Sequence, residues 1–206
     1  MQKHSMICAL TIAAAGLWLS PAAIARTGAR TGEQTLRNLQ NAYNGENNAR
    51  TRYLAFAEQA DKEGYARVAV LFRAAARAEE IHLTNHAAVI KQLGAIPQAR
   101  IEKPLVRSTK DNLEKSASKG EAYERDTMYP DFIKKAELEG LSAAVESFRY
   151  ALEAETEHYN LFAAAAGHLD QMRAAGSAYY VCRVSGYTSA HRDPARCVRG
   201  EFETIN

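Results

Sequence analysis

Residues 141–166 read LSAAVESFRYALEAETEHYNLFAAAA, with neither Pro nor Gly. Leu141, Val145, Phe148, Leu152, Glu155, Tyr159, Phe162 and Ala166 alternate steps of four and three, the spacing of one helical stripe. The stripe is apolar except at Glu155, a carboxylate where an amphipathic helix calls for Leu or Ala. His158 lies three residues on, so both side chains project from one face.

The same pattern recurs upstream. A helix is expected over 65–93, with the stripe Val68, Phe72, Ala75, Glu79, His82, His86, Val89, closed by Gly94 and stopped by Pro97. Another is expected over 34–62, with Leu36, Leu39, Tyr43, Glu46, Arg50, Tyr53, Ala57 and Ala60 in line and Gly64 suited to a left-handed cap. A third runs over 108–139 through Leu113, Ala117, Glu121, Glu124 and Met128, with a break or kink at Pro130 and an end at Gly140. The fourth is expected to extend over 141–173. Residues 95–107 hold Pro97 and Pro104 without a clear period and read as a connection. The expectation is all-α: a ferritin-like four-helix bundle over 26–173, with a long crossover between the second and third helices. The stretch 174–206, rich in Gly, Ser, Tyr and Arg, reads as a small irregular tail, a separate module or an arm.

Composition agrees. Of 206 residues, 47% are hydrophobic and 24% charged, which excludes wholesale disorder, and a net charge of +2 offers no electrostatic case for nucleic acid or an anionic membrane surface. The N-terminal segment 1–25 has Lys3 and His4, an apolar run over 6–19 and Ala23-Ile24-Ala25, the form of a cleaved signal peptide. The apolar run is shorter than the about 20 residues of a membrane span, so no membrane association is expected after cleavage. Cleavage would remove Trp18 and Cys8 and leave Cys182 and Cys197 in an exported, periplasmic protein, where oxidising conditions permit them to pair.

The acids inside the stripes carry the chemistry. Glu46, Glu79, Glu121, Glu124 and Glu155 converge from all four helices, and a single unpaired carboxylate in such a core costs several kcal/mol. Of the side-chain cations, only Arg50 shares those stripes nearby. Glu79-x-x-His82 and Glu155-x-x-His158, with a Glu from each of the other two helices, form the arrangement that holds two metal ions in di-iron carboxylate bundles. Two Fe(II) ions offset four of the five negative charges, and two Fe(III) bridged by an oxide carry the same charge, so a redox cycle leaves the site's net charge unchanged. Glu80, Glu153 and Glu157 read as solvated neighbours. His86 reads as a hydrogen-bonded partner or core residue rather than a ligand. Tyr53, Tyr123 and Tyr129 read as core aromatics, with Tyr53 and Tyr129 also candidates to orient carboxylates by hydrogen bonds.

At this level of detail the chain resembles the rubrerythrins. Asn44-Gly45-Glu46-Asn47-Asn48-Ala49-Arg50-Thr51-Arg52-Tyr53 is similar to that family's first-helix motif, Glu79-Glu80-Ile81-His82 and Glu155-Thr156-Glu157-His158 to its Glu-x-x-His pairs, and Gly120-Glu121-Ala122-Tyr123-Glu124 with Met128-Tyr129-Pro130 to its third helix. The resemblance implies a metal-ligand set of Glu46, Glu79, His82, Glu121, Glu124, Glu155 and His158 around two iron ions in an oxo-bridged centre. Glu79 and Glu155 would bridge, Glu46 and Glu121 would be terminal, and Glu124 and His82 would exchange on one iron with oxidation state. It further implies a peroxidase that reduces hydrogen peroxide to water with electrons from an external donor, in a homodimer. The tail departs from the pattern. Where the family carries a rubredoxin module with two Cys-x-x-Cys knuckles, Cys182-Arg183-Val184-Ser185-Gly186-Tyr187 and Cys197-Val198-Arg199-Gly200 each lack one thiolate. A degenerate remnant without rubredoxin-type iron is expected. By the same resemblance Cys182 and Cys197 stand where the first Cys of each knuckle would be, which brings them together as a disulfide. The alternatives are a ferroxidase or iron-handling protein, in which Fe(II) is the substrate, and a non-enzymatic metal-binding bundle.

Overall fold

The computed structural model describes residues 32–174 and 178–206; the segment read as a signal peptide lies outside them. Helix α1 spans Glu33–Lys62 and α2 spans Ala66–Gln92. The third helical run begins with α3, Thr109–Lys115, and ends with α4, Tyr129–Leu138, and α5 spans Ser142–Gly167. Among the described residues no helix is long and apolar enough to cross a membrane.

Local chemistry sets the ends. Gly64 adopts φ +77°, and Tyr65 N–H and Gly64 N–H reach back to Ala60 O and Asp61 O, at 2.8 and 3.1 Å. This left-handed cap satisfies carbonyls that would otherwise be orphaned. The same pair of bonds recurs at Gly94 and Gly140. Ser108 caps α3 by accepting from Asp111 N–H at 3.1 Å.

The helices pack through alanine and aromatic layers. Ala49, Ala57, Ala60, Ala69, Ala75 and Ala78 let α1 and α2 approach closely, while Tyr53, Phe56, Phe72 and Phe162 fill one end of the interior. Leu39, Val89, Ile90, Tyr129 and Phe148 fill the other. Each fully buried Phe contributes about 1.5–3 kcal/mol. Along each long helix one cluster gives way to the other where the acids sit: Glu46 between Ala42 and Ala49, Glu79 and His82 between Ala78 and Val89, Glu155 and His158 between Ala151 and Phe162. The polar layer is thus sealed between two dry ones.

The third helical run does not break at Pro130. It is continuous, with π-helical turns at Ser116–Glu121 and Glu124–Met128. Ser116 and Ser118 hydroxyls bond back to Asn112 O and Glu114 O, both at 2.7 Å, competing with the α-helical ladder. Tyr129 N–H reaches five residues back to Glu124 O, and Pro130 then falls in the first turn of α4, where its missing N–H costs nothing further. The wide turns advance the phase of the stripe, so Tyr129 rather than Met128 becomes fully buried. The fourth helix ends at Gly167, not at 173; Leu169–Arg173 is a 3-10 turn.

The crossover is held by α1. Gln40, Asn44 and Asn48, one turn apart, accept from the backbone N–H groups of Gln98, Arg100 and Glu102 at 3.0, 2.7 and 2.8 Å. Asn48 also donates to Arg100 O at 2.9 Å. Every second N–H of an extended segment meets a helical side chain, which accounts for asparagines in a helix interior where their propensity is poor.

The tail is not irregular. Strands β1 (Tyr179–Cys182), β2 (Thr188–Ser189) and β3 (Phe202–Ile205) form an antiparallel sheet in the order β2-β1-β3, docked against α2 and α5. Cys182 and Cys197 are joined by a disulfide with Cα atoms 5.6 Å apart.

Asn48→Ala leaves Glu102 N–H and Arg100 O without partners and is expected to destabilise the fold by about 1–3 kcal/mol in denaturant titration. Asn47→Ala, which removes only a bond to Tyr43 O in its own helix, should cost less than about 0.5 kcal/mol.

Candidate metal centre

Glu46, Glu79, His82, Glu121, Glu155 and His158 are all at most 1% exposed. Ligand atoms of Glu46, Glu79, His82 and Glu155 lie within 4.8 Å of one another, and so do those of Glu79, Glu121, Glu155 and His158. Glu79 and Glu155 belong to both groups, so two ions held by these sets would share them. Glu124 belongs to neither. It is half-buried, at the start of the second π turn.

Both histidines aim Nδ1 inward. His82 Nδ1 is 2.9 Å from Glu79 Oε2 and 3.1 Å from Glu155 Oε1. His158 Nδ1 is 2.8 Å from Glu155 Oε2. Their outer nitrogens are fixed by the tail. His82 Nε2–H donates to Ser185 O at 3.1 Å. His158 Nε2 is 3.1 Å from Thr188 Oγ1, whose own hydrogen goes to Gly186 O at 3.0 Å, so Nε2–H must be the donor. With Nε2–H committed outward, a ring bound to a metal ion would present its Nδ1 lone pair to the carboxylate layer, the form a metal ligand requires. Gly186 makes this approach possible. At φ +77° it lies against α2, where a Cβ would stand 2.8 Å from His82 Cδ2 and 3.2 Å from Ala78 O.

The carboxylates are braced across the bundle. Tyr129 OH donates to Glu46 and Tyr53 OH to Glu121. With its hydrogen spent on Glu46, Tyr129 accepts from His86 Nε2–H at 3.2 Å, and His86 Nδ1 accepts from Ser147 Oγ–H at 2.7 Å. His86 is therefore a support. Tyr123, read as a core aromatic, is 56% exposed because the π turns carry it outward. Arg50 does not reach the site; it pairs at the surface with Glu80, 3.8 Å away. Glu153 likewise pairs outside, with Arg196 at 2.7 Å.

One carboxylate oxygen each of Glu46, Glu79, Glu121 and Glu155 is buried without a hydrogen-bond partner. Burial, and then the repulsion of Glu155 and other neighbouring acids, pushes Glu79 and Glu121 well above the usual carboxylate range; burial, Glu46 and Glu155 do the same to Glu124. Burial would also raise Glu155, but the His158 and His82 rings outweigh it and hold that carboxyl below its ordinary value. Four orphaned hard oxygens and two oriented imidazoles fit a pair of borderline divalent cations such as Fe(II).

A family model described as rubrerythrin matches residues 37–166. The chain belongs to the rubrerythrin family. Nigerythrin of Nitratidesulfovibrio vulgaris is 37% identical over 164 residues, covering 79% of this chain and 80% of the relative. Rubrerythrin-2 of Clostridium acetobutylicum is 33% identical over 162 residues, covering 77% and 87%. The solved structure of fully reduced, all-ferrous nigerythrin superposes with a TM-score of 0.75 at 34% identity, over 83% of this chain and 86% of that one. A Mycobacterium tuberculosis bacterioferritin shares the fold with a TM-score of 0.61 at 18% identity. Rubrerythrins are ferritin-like di-iron proteins, and their family places this chain among oxidoreductases of oxidative-stress defence.

Sequence reasoning missed Ser185 and Thr188. Gly186 was the available signal of a tight turn that could approach a helix closely.

Thr188→Val keeps the volume of the side chain but removes the acceptor of His158 Nε2–H. It is expected to weaken metal binding about 10- to 100-fold in chelator competition. The raised carboxyls set a second expectation. Glu79, Glu121 and Glu124 bind protons more tightly folded than unfolded, so their contribution to the stability of the metal-stripped protein is fully present below about pH 4.5 and is lost as pH rises through the folded values, while Glu155, held low by the histidines, contributes in the opposite direction. Metal affinity should rise over the same range, because loading displaces those protons. Thermal unfolding of chelator-treated protein and zinc titrations across pH measure the two trends.

Proposed function

We propose that this protein is a di-iron peroxidase that reduces hydrogen peroxide to water with electrons from an external donor. The observation that carries the reading is the set of four orphaned carboxylate oxygens beside two inward-aimed imidazole Nδ1 atoms inside a sealed layer. Glu79 and Glu155 would bridge two irons, Glu46 and Glu121 would be terminal, and His82 and His158 would complete one set each. Bound iron would supply two electrons, one per ion, and hydrogen peroxide with two protons would leave as two waters.

This chain's residues do the remaining work. The Tyr53 and Tyr129 hydroxyls orient the terminal carboxylates, and the aromatic clusters on both sides limit water. Glu124 is the spare ligand. With His82 drawn into the cluster and Glu124 outside it, the arrangement is one of the two that a Glu124–His82 exchange needs, and hard oxygen suits ferric iron as imidazole suits ferrous. Ferroxidase chemistry has no use for this seventh ligand.

We place the protein in the periplasm as a homodimer. The apolar leader and the Cys182–Cys197 disulfide support an oxidising compartment, and family membership supports the dimer. An external donor is needed because the tail offers two cysteines, tied to each other, where an iron site of the rubredoxin kind uses four.

Anaerobically reduced, iron-loaded protein mixed with peroxide or dioxygen in stopped flow should be oxidised much faster by peroxide. Glu124→Ala should slow peroxide turnover about tenfold or more while keeping most of the iron. Equal rates with both oxidants, together with many irons accumulating per chain, would replace this reading with ferroxidase.

A further inference from the structure

A cavity of about 360 Å³ opens between α1, the crossover and the first π turn, and Tyr53 and Gly120 form part of its wall. Arg52, Lys103, Lys115 and Lys119 also line it, against the single carboxylate of Glu102. Among the described residues none of the four cations lies within ion-pair distance of a carboxylate, in a chain whose 26 basic residues nearly balance 24 acidic ones. Phe56 and Leu105 supply apolar wall beside them. The cavity is therefore built for a small organic anion with a flat or apolar part.

Its depth discriminates between ligands. Tyr53 is 2% exposed and Glu121, which accepts its hydroxyl hydrogen, is fully buried, so an occupant touches the phenol and stops short of the carboxylate layer. A peroxide must reach the metal ions themselves, whereas an electron donor need only come within one side chain of them. We infer that this cavity seats a small anionic ene-diol that resets the centre by outer-sphere transfer across the Tyr53–Glu121 hydrogen bond. The inference rests on the di-iron reading above.

The balance closes for a monoanionic ene-diol. Its two enolic C–O groups become carbonyls as it releases two electrons and one proton. The electrons take two ferric ions to ferrous, one each, and the proton leaves to solvent through the open mouth.

Ascorbate is the probe. Calorimetric titration into the zinc-loaded full chain, which is redox-inert, is expected to show one saturable site whose affinity falls with salt. Lys115→Glu/Lys119→Glu should weaken it about tenfold or more, whereas Lys91→Glu/Lys134→Glu, on exposed lysines elsewhere, should stay within about twofold. In the iron-loaded protein the cavity variant should raise the ascorbate concentration for half-maximal reduction and leave peroxide oxidation of the reduced form unchanged. No saturable binding to the zinc-loaded chain, or equal losses in both double variants, overturns the inference. If ascorbate behaves as expected but peroxide does not oxidise the reduced protein, the cavity assignment stands and the peroxidase reading falls.

Discussion

Packing carboxylates into a hydrophobic interior is the constraint on which this structure depends. Glu46, Glu79, Glu121 and Glu155 are withdrawn from water, each with one oxygen unpartnered. Desolvating a charge costs several kcal/mol even after relaxation, comparable with or larger than the burial of any one aromatic side chain. The bundle tolerates the layer because dry clusters on both sides carry the fold and because the oxygens converge where cations can sit. The alanines serve the same end, drawing the helices close enough for ligand atoms from three of them to meet in each group.

The tail serves the two histidines of the polar layer from outside the bundle. Soft thiolates are needed to hold a rubredoxin-type iron, and Ser185 and Gly200 cannot supply them. The hydrogen bonds to the histidines come instead from a backbone carbonyl at Ser185 and a hydroxyl at Thr188, which do not require a metal in the knuckle. What they require is that the 183–188 turn keep its position. The Cys182–Cys197 disulfide closes the turn's base, Gly186 N–H bonds to Cys182 O at 2.9 Å, and Asn85 on α2 grips Val184 O at 2.9 Å. A covalent staple thus holds the turn, and the turn keeps both imidazoles aimed with Nδ1 toward the carboxylates.

Helix positions and the ligand layer were legible because periodicity is a local property, and an acid in an apolar stripe contradicts its surroundings in a way a single chain reveals. Glu155 and Glu79 declared themselves so. The π turns did not, since Ser116, Ser118 and Gly120 merely weaken an α-helix, and nothing local says that the ladder will slip and carry Tyr123 outward. The hold of Asn44 and Asn48 on the crossover was hidden for another reason: the partners are backbone groups more than fifty residues away, which leave no side-chain pattern. Ser185 acts through its carbonyl, so its side chain could not announce the contact with His82.

The two tyrosine braces look equivalent from the site and differ behind it. Two carboxylates are each held by a phenol from another helix, Glu46 by Tyr129 and Glu121 by Tyr53, which cross-links the first and third helical runs through the polar layer. Behind Tyr129 the chain of donors continues into the interior, through His86 to Ser147, and Phe148 packs against the His86 ring. Behind Tyr53 the wall thins to Gly120, and a cavity begins. The Tyr129 side is thereby a dry, hydrogen-bonded anchor whose displacement would leave several buried groups unpaired at once. The Tyr53 side ends in a single hydrogen bond behind the cavity wall, with its ring packed among Phe56, Phe72 and Phe162. The unequal backing of two similar tyrosines thus gives the polar layer one carboxylate wired deep into the interior, Glu46, and one, Glu121, whose support ends at a cavity wall.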